Sequence, residues 1–158
     1  MSPEYESSSV LLRRSALQHG LAGQAALEGE FVPRAKAFLA EAREIQLAAH
    51  RAGVLGGEVA KLRSDAIDIL FDALFLKAGP AASAISLVAT GGYGRAELCP
   101  LSDIDLLVLV PRHSAATKAL VESILYPLWD LGLKVGQSVR TVTESTNYAK
   151  DDLHLHVA

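Results

Sequence analysis

The sequence has a single cysteine, no excess of basic residues and no long hydrophobic run. Cys99 is the only cysteine in 158 residues, so no disulfide can form within the chain, which fits a reducing compartment. No apolar run approaches the roughly 18 residues that cross a bilayer. The N-terminal MSPEYESSSV carries acidic residues, unlike a secretory signal. These absences exclude a disulfide scaffold and argue against secretion or membrane insertion, so the cytoplasm is the expected location.

The charge balance argues against broad binding to nucleic acid. Lys and Arg number 15 against 18 Asp and Glu, which gives a formal net charge of −3. Nucleic-acid-binding proteins usually carry a basic excess or a basic stripe, and here no basic run exceeds the pair Arg13 and Arg14. A nucleotide remains a possible ligand because metal ions can hold its phosphates at a local site. We therefore expect no nucleic-acid partner and no membrane partner.

Length and composition fit one globular domain with a helical N-terminal part. Half of the residues are hydrophobic, and 158 residues suffice for a core. Residues 1–30 are predicted to form a flexible or partly helical arm. Residues 31–80 show two helical patterns, the second over 58–77, and form an N-terminal helical segment. We interpret both helices as packing elements without chemistry of their own.

The pattern becomes strand-like from residue 81, where the predicted core of the domain begins. Apolar runs at 85–89 and 104–110 have the length of strands buried on both faces, and 134–140 alternates moderately as a third strand. About a dozen residues between the first two strands are too few for an ordinary crossover helix. The sequence therefore predicts an α/β fold of the α+β type, with a small mixed sheet flanked by helices.

Two further helices are predicted around the third strand. Residues 115–131 return to helical spacing, and Tyr126 and Trp129 within them are expected to lie in the core. Thr141 and Glu144 form a T-x-x-E capping box, which predicts the start of a last helix. The resulting order is two helices, two strands, a helix, a strand and a helix.

The stretch TGGYGRAELCPLSDIDLLVL at 90–109 contains two aspartates where a strand is predicted to begin. Residues i and i+2 of a strand face the same side, so Asp103 and Asp105 should project together with Cα atoms about 6.6 Å apart. Two carboxylates this close repel each other, and a divalent cation removes that cost. Mg²⁺ prefers hard oxygen ligands and is commonly held by one or two carboxylates and substrate phosphates. The pair therefore predicts a magnesium site for phosphoryl or nucleotidyl transfer.

The glycines and polar residues before the aspartates suit a phosphate chain. Gly91 and Gly92 would let the backbone approach phosphate closely, with N–H groups cradling its oxygens. Arg95 could add a cation, and Ser102 could hydrogen-bond a phosphate or orient a carboxylate. Taken singly, these features are also typical of a turn, a strand edge or a surface ion pair between Arg95 and Glu97. Their order and spacing together favour a functional site.

This arrangement resembles the DNA polymerase β-like nucleotidyltransferase superfamily. The strings GGYGRAELCPLSDIDLLVL and LYPLWDLGLKVGQSVRTVTES closely resemble the N-terminal domain of the PII uridylyltransferase family, over about residues 87–153. The resemblance implies that Asp103 and Asp105 hold Mg²⁺ and that Gly91 and Gly92 contact the triphosphate of UTP. It also implies that a tyrosine of the PII nitrogen-regulatory protein attacks the α-phosphate with release of pyrophosphate. The family is multifunctional, because a separate hydrolase domain removes the UMP.

Two departures from the family pattern shape the expectation. Gly92 stands where many superfamily members have Ser, which leaves backbone donors only. The family's third acidic residue lies on a strand after the last helix, whereas Asp151 and Asp152 align with that helix. We therefore expect residues 81–158 to be a C-terminally truncated nucleotidyltransferase core in an incomplete fragment. The alternatives are a non-catalytic Mg-nucleotide-binding or protein-binding module, or a nucleotidyltransferase with another nucleotide or acceptor.

The chain also ends with a pattern that imitates a metal site. His154 and His156 follow Asp152, and an acid with two histidines is a common ligand set. Residues i and i+2 do not share a helical face, so we assign no metal there.

Overall fold

The computed structural model describes residues 3–151, except for the side chains of Glu6 and Asp151. The histidine pattern at 152–156 lies outside the described residues. Among those residues, no helix is both long and apolar enough to cross a membrane. The helices are α1 (Pro3–Gln18), α2 (Phe31–Arg51), α3 (Gly56–Ala78), α4 (Gly91–Gly94), α5 (Ala115–Asp130) and α6 (Val142–Asp151), and the strands are β1 (Ser86–Ala89), β2 (Ile104–Leu109) and β3 (Val135–Arg140). Short 3₁₀ helices cover Gly23–Leu27 and Gly79–Ala84.

The first three helices pack on one another. Helix α1, which lies within the segment predicted as an arm, contacts both α2 and α3. Leu12 of α1, Phe38 of α2 and Leu70 of α3 are buried in one hydrophobic cluster that also includes Ile104 of β2. The Tyr5 hydroxyl donates to a carboxylate oxygen of α3 at 2.8 Å. The helical segment and the sheet therefore share a core.

The sheet is mixed, with the strand order β1-β2-β3. β1 pairs antiparallel with β2, and β2 pairs parallel with β3. β2 is thus the central strand, and its first residues lie between the end of β1 and the start of β3. The predicted α+β fold with a small mixed sheet and an N-terminal helical segment is confirmed.

The prediction that the first two strands are buried on both faces is wrong. Ile104, Leu106 and Val108 of β2 are buried, whereas Asp105 between them is exposed, and three of the four residues of β1 are exposed. Successive residues of a strand point to opposite faces. The shared core covers one face of β2 only. The opposite face is the one that carries Asp105.

The prediction that Tyr126 and Trp129 lie in the core is also wrong. Their side chains are 49% and 42% exposed, and their ring centroids are 5.5 Å apart on the surface of α5. The core stripe of α5 consists of other residues, namely Val121, Ile124, Leu125 and Leu128. Because one helical stripe faces the core, the two aromatic residues fall outside it.

The capping box at the start of α6 is present as predicted. The Thr141 N–H donates to Oε2 of Glu144 at 2.7 Å, and the Glu144 N–H donates to Oγ1 of Thr141 at 3.2 Å. His113 approaches the same carboxylate oxygen, at 2.8 Å from its Nε2. The reciprocal bonds satisfy two backbone donors that the helix itself cannot pair.

Candidate active site

Asp105 lies in the central strand, at the end of the sheet where β1 ends and where α4 and β3 begin. Its Cα is the register partner of Gly136 in β3. On the other side, its carbonyl oxygen accepts a hydrogen bond from the Thr90 N–H at 3.0 Å. The side chain lies on the exposed face of β2. Backbone pairing on both sides of Asp105 therefore fixes the Cα from which its exposed carboxylate projects.

Two glycines leave room for the Asp105 carboxylate. A Cβ added at Gly91 would lie 2.8 Å from Oδ2, and one added at Gly136 would lie 2.8 Å from Oδ1. Gly91 also has φ +58, a left-handed conformation that favours glycine. The sequence reasoning missed Gly136, although an isolated glycine inside a strand often marks a close approach. The carboxylate can hold its position only because both residues lack side chains.

Asp103 lies immediately before β2 and is exposed like Asp105. Ile104 between them is fully buried, and its N–H donates to the Lys134 carbonyl at 2.8 Å. This bond continues the parallel pairing of β2 and β3 by one residue. The alternation of exposed, buried and exposed side chains agrees with the expectation that both carboxylates project away from the core.

Helix α4 is a single turn that begins at Gly91, beside the Asp105 carboxylate. The Gly94 N–H donates to the Thr90 carbonyl at 2.9 Å, and the Glu97 N–H donates to the Gly92 carbonyl at 2.8 Å. The first N–H groups of a helix have no acceptor within it. The turn therefore offers backbone donors next to the carboxylate, as a phosphate-binding loop requires.

Helix α3 anchors the loop that follows β1. The buried Tyr93 stacks on Phe71 with ring centroids 6.3 Å apart, and its hydroxyl donates to Oδ1 of Asp68 at 2.5 Å. Burial, and then the bond to Asp68, raises the pKa of Tyr93 far above its usual value. Farther along the loop, the buried Leu98 N–H donates to Oγ of Ser64 at 3.2 Å. A helix predicted only to pack thus positions the loop, through contacts too distant in sequence to show a pattern.

The structure does not bring Arg95 or Ser102 onto the carboxylates. Nε of Arg95 lies 3.2 Å from Oε2 of Glu97, with exposed fractions of 67% and 60%, so the pair contributes less than about 1 kcal/mol. The Ser102 N–H donates to the Cys99 carbonyl at 3.2 Å. Within residues 3–151 the Ser102 hydroxyl makes no hydrogen bond to either aspartate. Both side chains are exposed, so a ligand could recruit them.

The donor set fits a divalent cation that is shared with a phosphate. Asp103 and Asp105 supply exposed, hard oxygen atoms. Across the described part of the chain, no three His, Cys, Asp or Glu residues are grouped to hold a metal ion. Mg²⁺ commonly binds one or two carboxylates and completes its shell with phosphate oxygens and water. Asp103 and Asp105 therefore suit a metal ion that also binds phosphate and water better than one bound by protein ligands alone.

Comparison with known proteins defines the class of this domain. Residues 75–155 match the nucleotidyltransferase domain family, and the chain belongs to that family of enzyme domains. Curated relatives carry the more particular name "bifunctional uridylyltransferase/uridylyl-removing enzyme". The relative from Bradyrhizobium sp. strain BTAi1 is 36% identical over 99% of this chain and 18% of its own length. No solved structure gives a significant match.

Other relatives with the same name match a shorter region more closely. The Burkholderia orbicola AU 1054 protein is 45% identical over 60% of this chain and 11% of its own length. The Azospirillum brasilense protein is 52% identical over 46% of this chain and 8% of its own length. The chain thus spans less than a fifth of these relatives. The resemblance to uridylyltransferases is confirmed.

Proposed function

We propose that this chain forms the nucleotide-binding part of a uridylyltransferase active site. It transfers UMP from UTP to a tyrosine of a PII-type regulatory protein, depends on Mg²⁺ and works in the cytoplasm. One observation carries the proposal: the Asp105 carboxylate emerges from the central strand between Gly91 and Gly136, directly beside the α4 turn. A nucleotidyltransferase needs this proximity of carboxylate and phosphate-binding backbone.

In this proposal the two aspartates, the α4 turn and Arg95 have separate parts in the reaction. Asp103 and Asp105 would hold the metal, which when bound supplies positive charge to the phosphates. Backbone N–H groups at Gly91 and Gly92 bind oxygens of the triphosphate. Arg95 turns from its weak pair with a neighbouring carboxylate toward the phosphates.

The transfer is an in-line displacement at the α-phosphorus. The acceptor tyrosine oxygen forms the new P–O bond and releases its proton to solvent. The bond from the α-phosphorus to the bridging oxygen breaks, and pyrophosphate leaves with the electron pair. The donors at the α4 turn position the phosphates for this attack, which is the main protein contribution to such reactions.

The relatives support the choice of UMP as the transferred group. Their printed name includes uridylyltransferase, and the Bradyrhizobium relative aligns with 99% of this chain. The same name includes removal of uridylyl groups. We assign only the transfer to these residues, because Asp105 and the α4 turn suit metal and phosphate binding and the chain covers 18% of that relative.

A chimera tests the proposal. In it, this chain replaces the matched region of the Bradyrhizobium relative. The chimera and the 158-residue chain are each incubated with Mg²⁺, UTP labelled at the α-phosphate and a PII-type protein. We expect the chimera to label the acceptor, and an acceptor with Tyr replaced by Phe to stay unlabelled.

Two results would contradict the proposal. Labelling from CTP or ATP at the rate seen with UTP would overturn the choice of nucleotide. A chimera that binds Mg-UTP without transferring label would identify a non-catalytic nucleotide-binding module instead. The intact relative serves as the positive control for acceptor and assay.

A further inference from the structure

A cavity of about 820 Å³ lies between the N-terminal helices and the loop that leads to Asp103. Its walls come from α2 and α3, and its rim includes Ser102 and the segment 132–134 before β3. Most of its lining is apolar and includes the side chains of Leu47 and Ile67. The cavity therefore adjoins the candidate active site, although neither aspartate of the pair lines it.

The polar lining of this cavity is strongly basic. Arg43 and His50 of α2, Arg63 of α3 and Lys134 before β3 all contribute to it. No acidic residue is among the described residues that line the cavity. Within residues 3–151, no ion pair neutralises any of these four side chains. The cavity thus concentrates the positive charges of Arg43, Arg63 and Lys134.

Arg63 is the least exposed of these four basic residues. Its Nε is buried and has no hydrogen-bond partner among the described residues. Burial, and then the positive charge of Arg43, lowers the pKa of Arg63. A buried donor without an acceptor is costly, and so are two neighbouring like charges. An anion between the two guanidinium groups would relieve both costs.

We propose that this basic cavity binds the phosphate groups of a small phosphorylated ligand, at a site separate from the Asp103–Asp105 pair. Three fixed positive charges match a polyphosphate better than a single carboxylate. Guanidinium groups bind phosphate oxygens in bidentate fashion, and two of the charges are guanidinium groups. The apolar wall accommodates the organic part of the ligand.

The ligand can have two sources, the triphosphate of the substrate nucleotide or a separate phosphorylated molecule. Ser102 is on the cavity rim and directly precedes Asp103, so a long phosphate chain could extend from one site to the other. A separate molecule would instead act beside a nucleotide that is already bound.

Inorganic tripolyphosphate is the probe for the test. Its affinity for the 158-residue chain is measured by calorimetry without divalent cations, at physiological salt. We expect Arg43→Gln and Arg63→Gln each to weaken binding by about 10-fold. Arg51→Gln removes an equal charge from α2 and should leave the affinity within about twofold, because Arg51 does not line the cavity and acts on it only across screening solvent. Thermal unfolding checks that each variant is folded. If Arg63→Gln does not fold, Arg43→Gln still tests the site, because Arg43 is exposed.

The outcomes separate the sources and can overturn the proposal. Displacement of tripolyphosphate by UTP identifies the substrate triphosphate as the ligand, and simultaneous binding of both identifies a separate ligand. Either result requires that Arg43→Gln weaken tripolyphosphate binding and that Arg51→Gln leave it nearly unchanged. Absence of binding, or equal weakening by Arg51→Gln, would overturn the proposed site. The label-transfer assay of the chimera is independent of this result, so failure of one proposal is distinguishable from failure of the other.

Discussion

Asp105 and Gly136 are register partners across β2 and β3, and a methyl group on Gly136 would lie 2.8 Å from Oδ1 of Asp105. The carboxylate thus occupies the space that a side chain in the next strand would fill. Gly91 leaves the equivalent space beside Oδ2. The accessible orientation of the carboxylate depends on both neighbours.

Gly136→Ala should impair transfer more than it impairs stability. The added methyl meets the end of a flexible side chain, so Asp105 can rotate away at little cost to the fold. Displacement of a metal-binding carboxylate by about 1 Å can reduce the rate of the catalysed reaction by about 100-fold. We expect label transfer by the chimera to fall about 10- to 100-fold, with the free energy of unfolding changed by less than about 1 kcal/mol.

Gly57→Ala is the matched control for this substitution. Gly57 lies in α3, where an added Cβ meets nothing within 4 Å. The change should leave transfer unaffected and stabilise the fold by up to about 1 kcal/mol through helix propensity. Wild-type transfer in Gly136→Ala would show that the carboxylate does not need its observed position.

Tyr93→Phe should loosen the loop of the site. The substitution removes the hydrogen bond from Tyr93 to Asp68 while keeping the ring that stacks on Phe71. We expect the free energy of unfolding to fall by about 1 kcal/mol in urea denaturation. The exposed Tyr126 provides the control, since Tyr126→Phe should change stability by less than about 0.5 kcal/mol. A loss of less than about 0.5 kcal/mol in Tyr93→Phe would contradict a stabilising role for the bond to Asp68.

Ser64→Ala tests the second link between α3 and the loop. It leaves the buried Leu98 N–H without its acceptor, and an unsatisfied buried donor costs about 1–3 kcal/mol. Ser123→Ala serves as the control, because Ser123 is exposed and, among the described residues, its hydroxyl bonds only the Leu120 carbonyl of its own helix. Hydrogen exchange of the Leu98 amide should accelerate in Ser64→Ala alone. Unchanged protection there would contradict the assigned bond.

The cap of α6 should weaken only in strong acid. The hydrogen bond from the Thr141 backbone, and then the contact with His113, lowers the pKa of Glu144 from 4.5 to about 2. A carboxyl whose pKa is lower in the folded state than in the unfolded state stabilises the fold at pH values above its unfolded-state pKa. That contribution is lost as the pH falls through its folded-state pKa. The loss should therefore occur as pH falls from about 4.5 toward 2. An NMR titration of the Glu144 carboxyl checks this, and a midpoint near 4.5 would contradict it.

Local patterns in the sequence predicted much of the fold and the core of the candidate site. The capping box of Thr141 and Glu144 and the pair Asp103 and Asp105 involve residues close in the chain, so spacing alone identifies them. Apolar runs also identified β1 and β2, and moderate alternation identified β3. These features depend on local geometry, which is why they could be predicted.

Features set by packing could not be predicted in the same way. The exposure of Trp129 depends on which stripe of α5 meets the core, and an apolar helix offers more than one stripe. The bond from Tyr93 to Asp68 joins residues 25 positions apart without any repeating pattern. The basic cavity likewise combines residues from 43 to 134 that only the tertiary fold assembles.

The most direct measurement is label transfer from UTP by the chimera with Asp105→Asn, compared with the unsubstituted chimera and with Asp130→Asn. Asp130 is an exposed acid at the end of α5 and controls for the loss of one negative charge. We predict that Asp105→Asn lowers transfer at least about 1,000-fold, because the metal contributes several kcal/mol to such reactions. Asp130→Asn should retain full transfer. Full transfer by Asp105→Asn would contradict the assignment of the metal site.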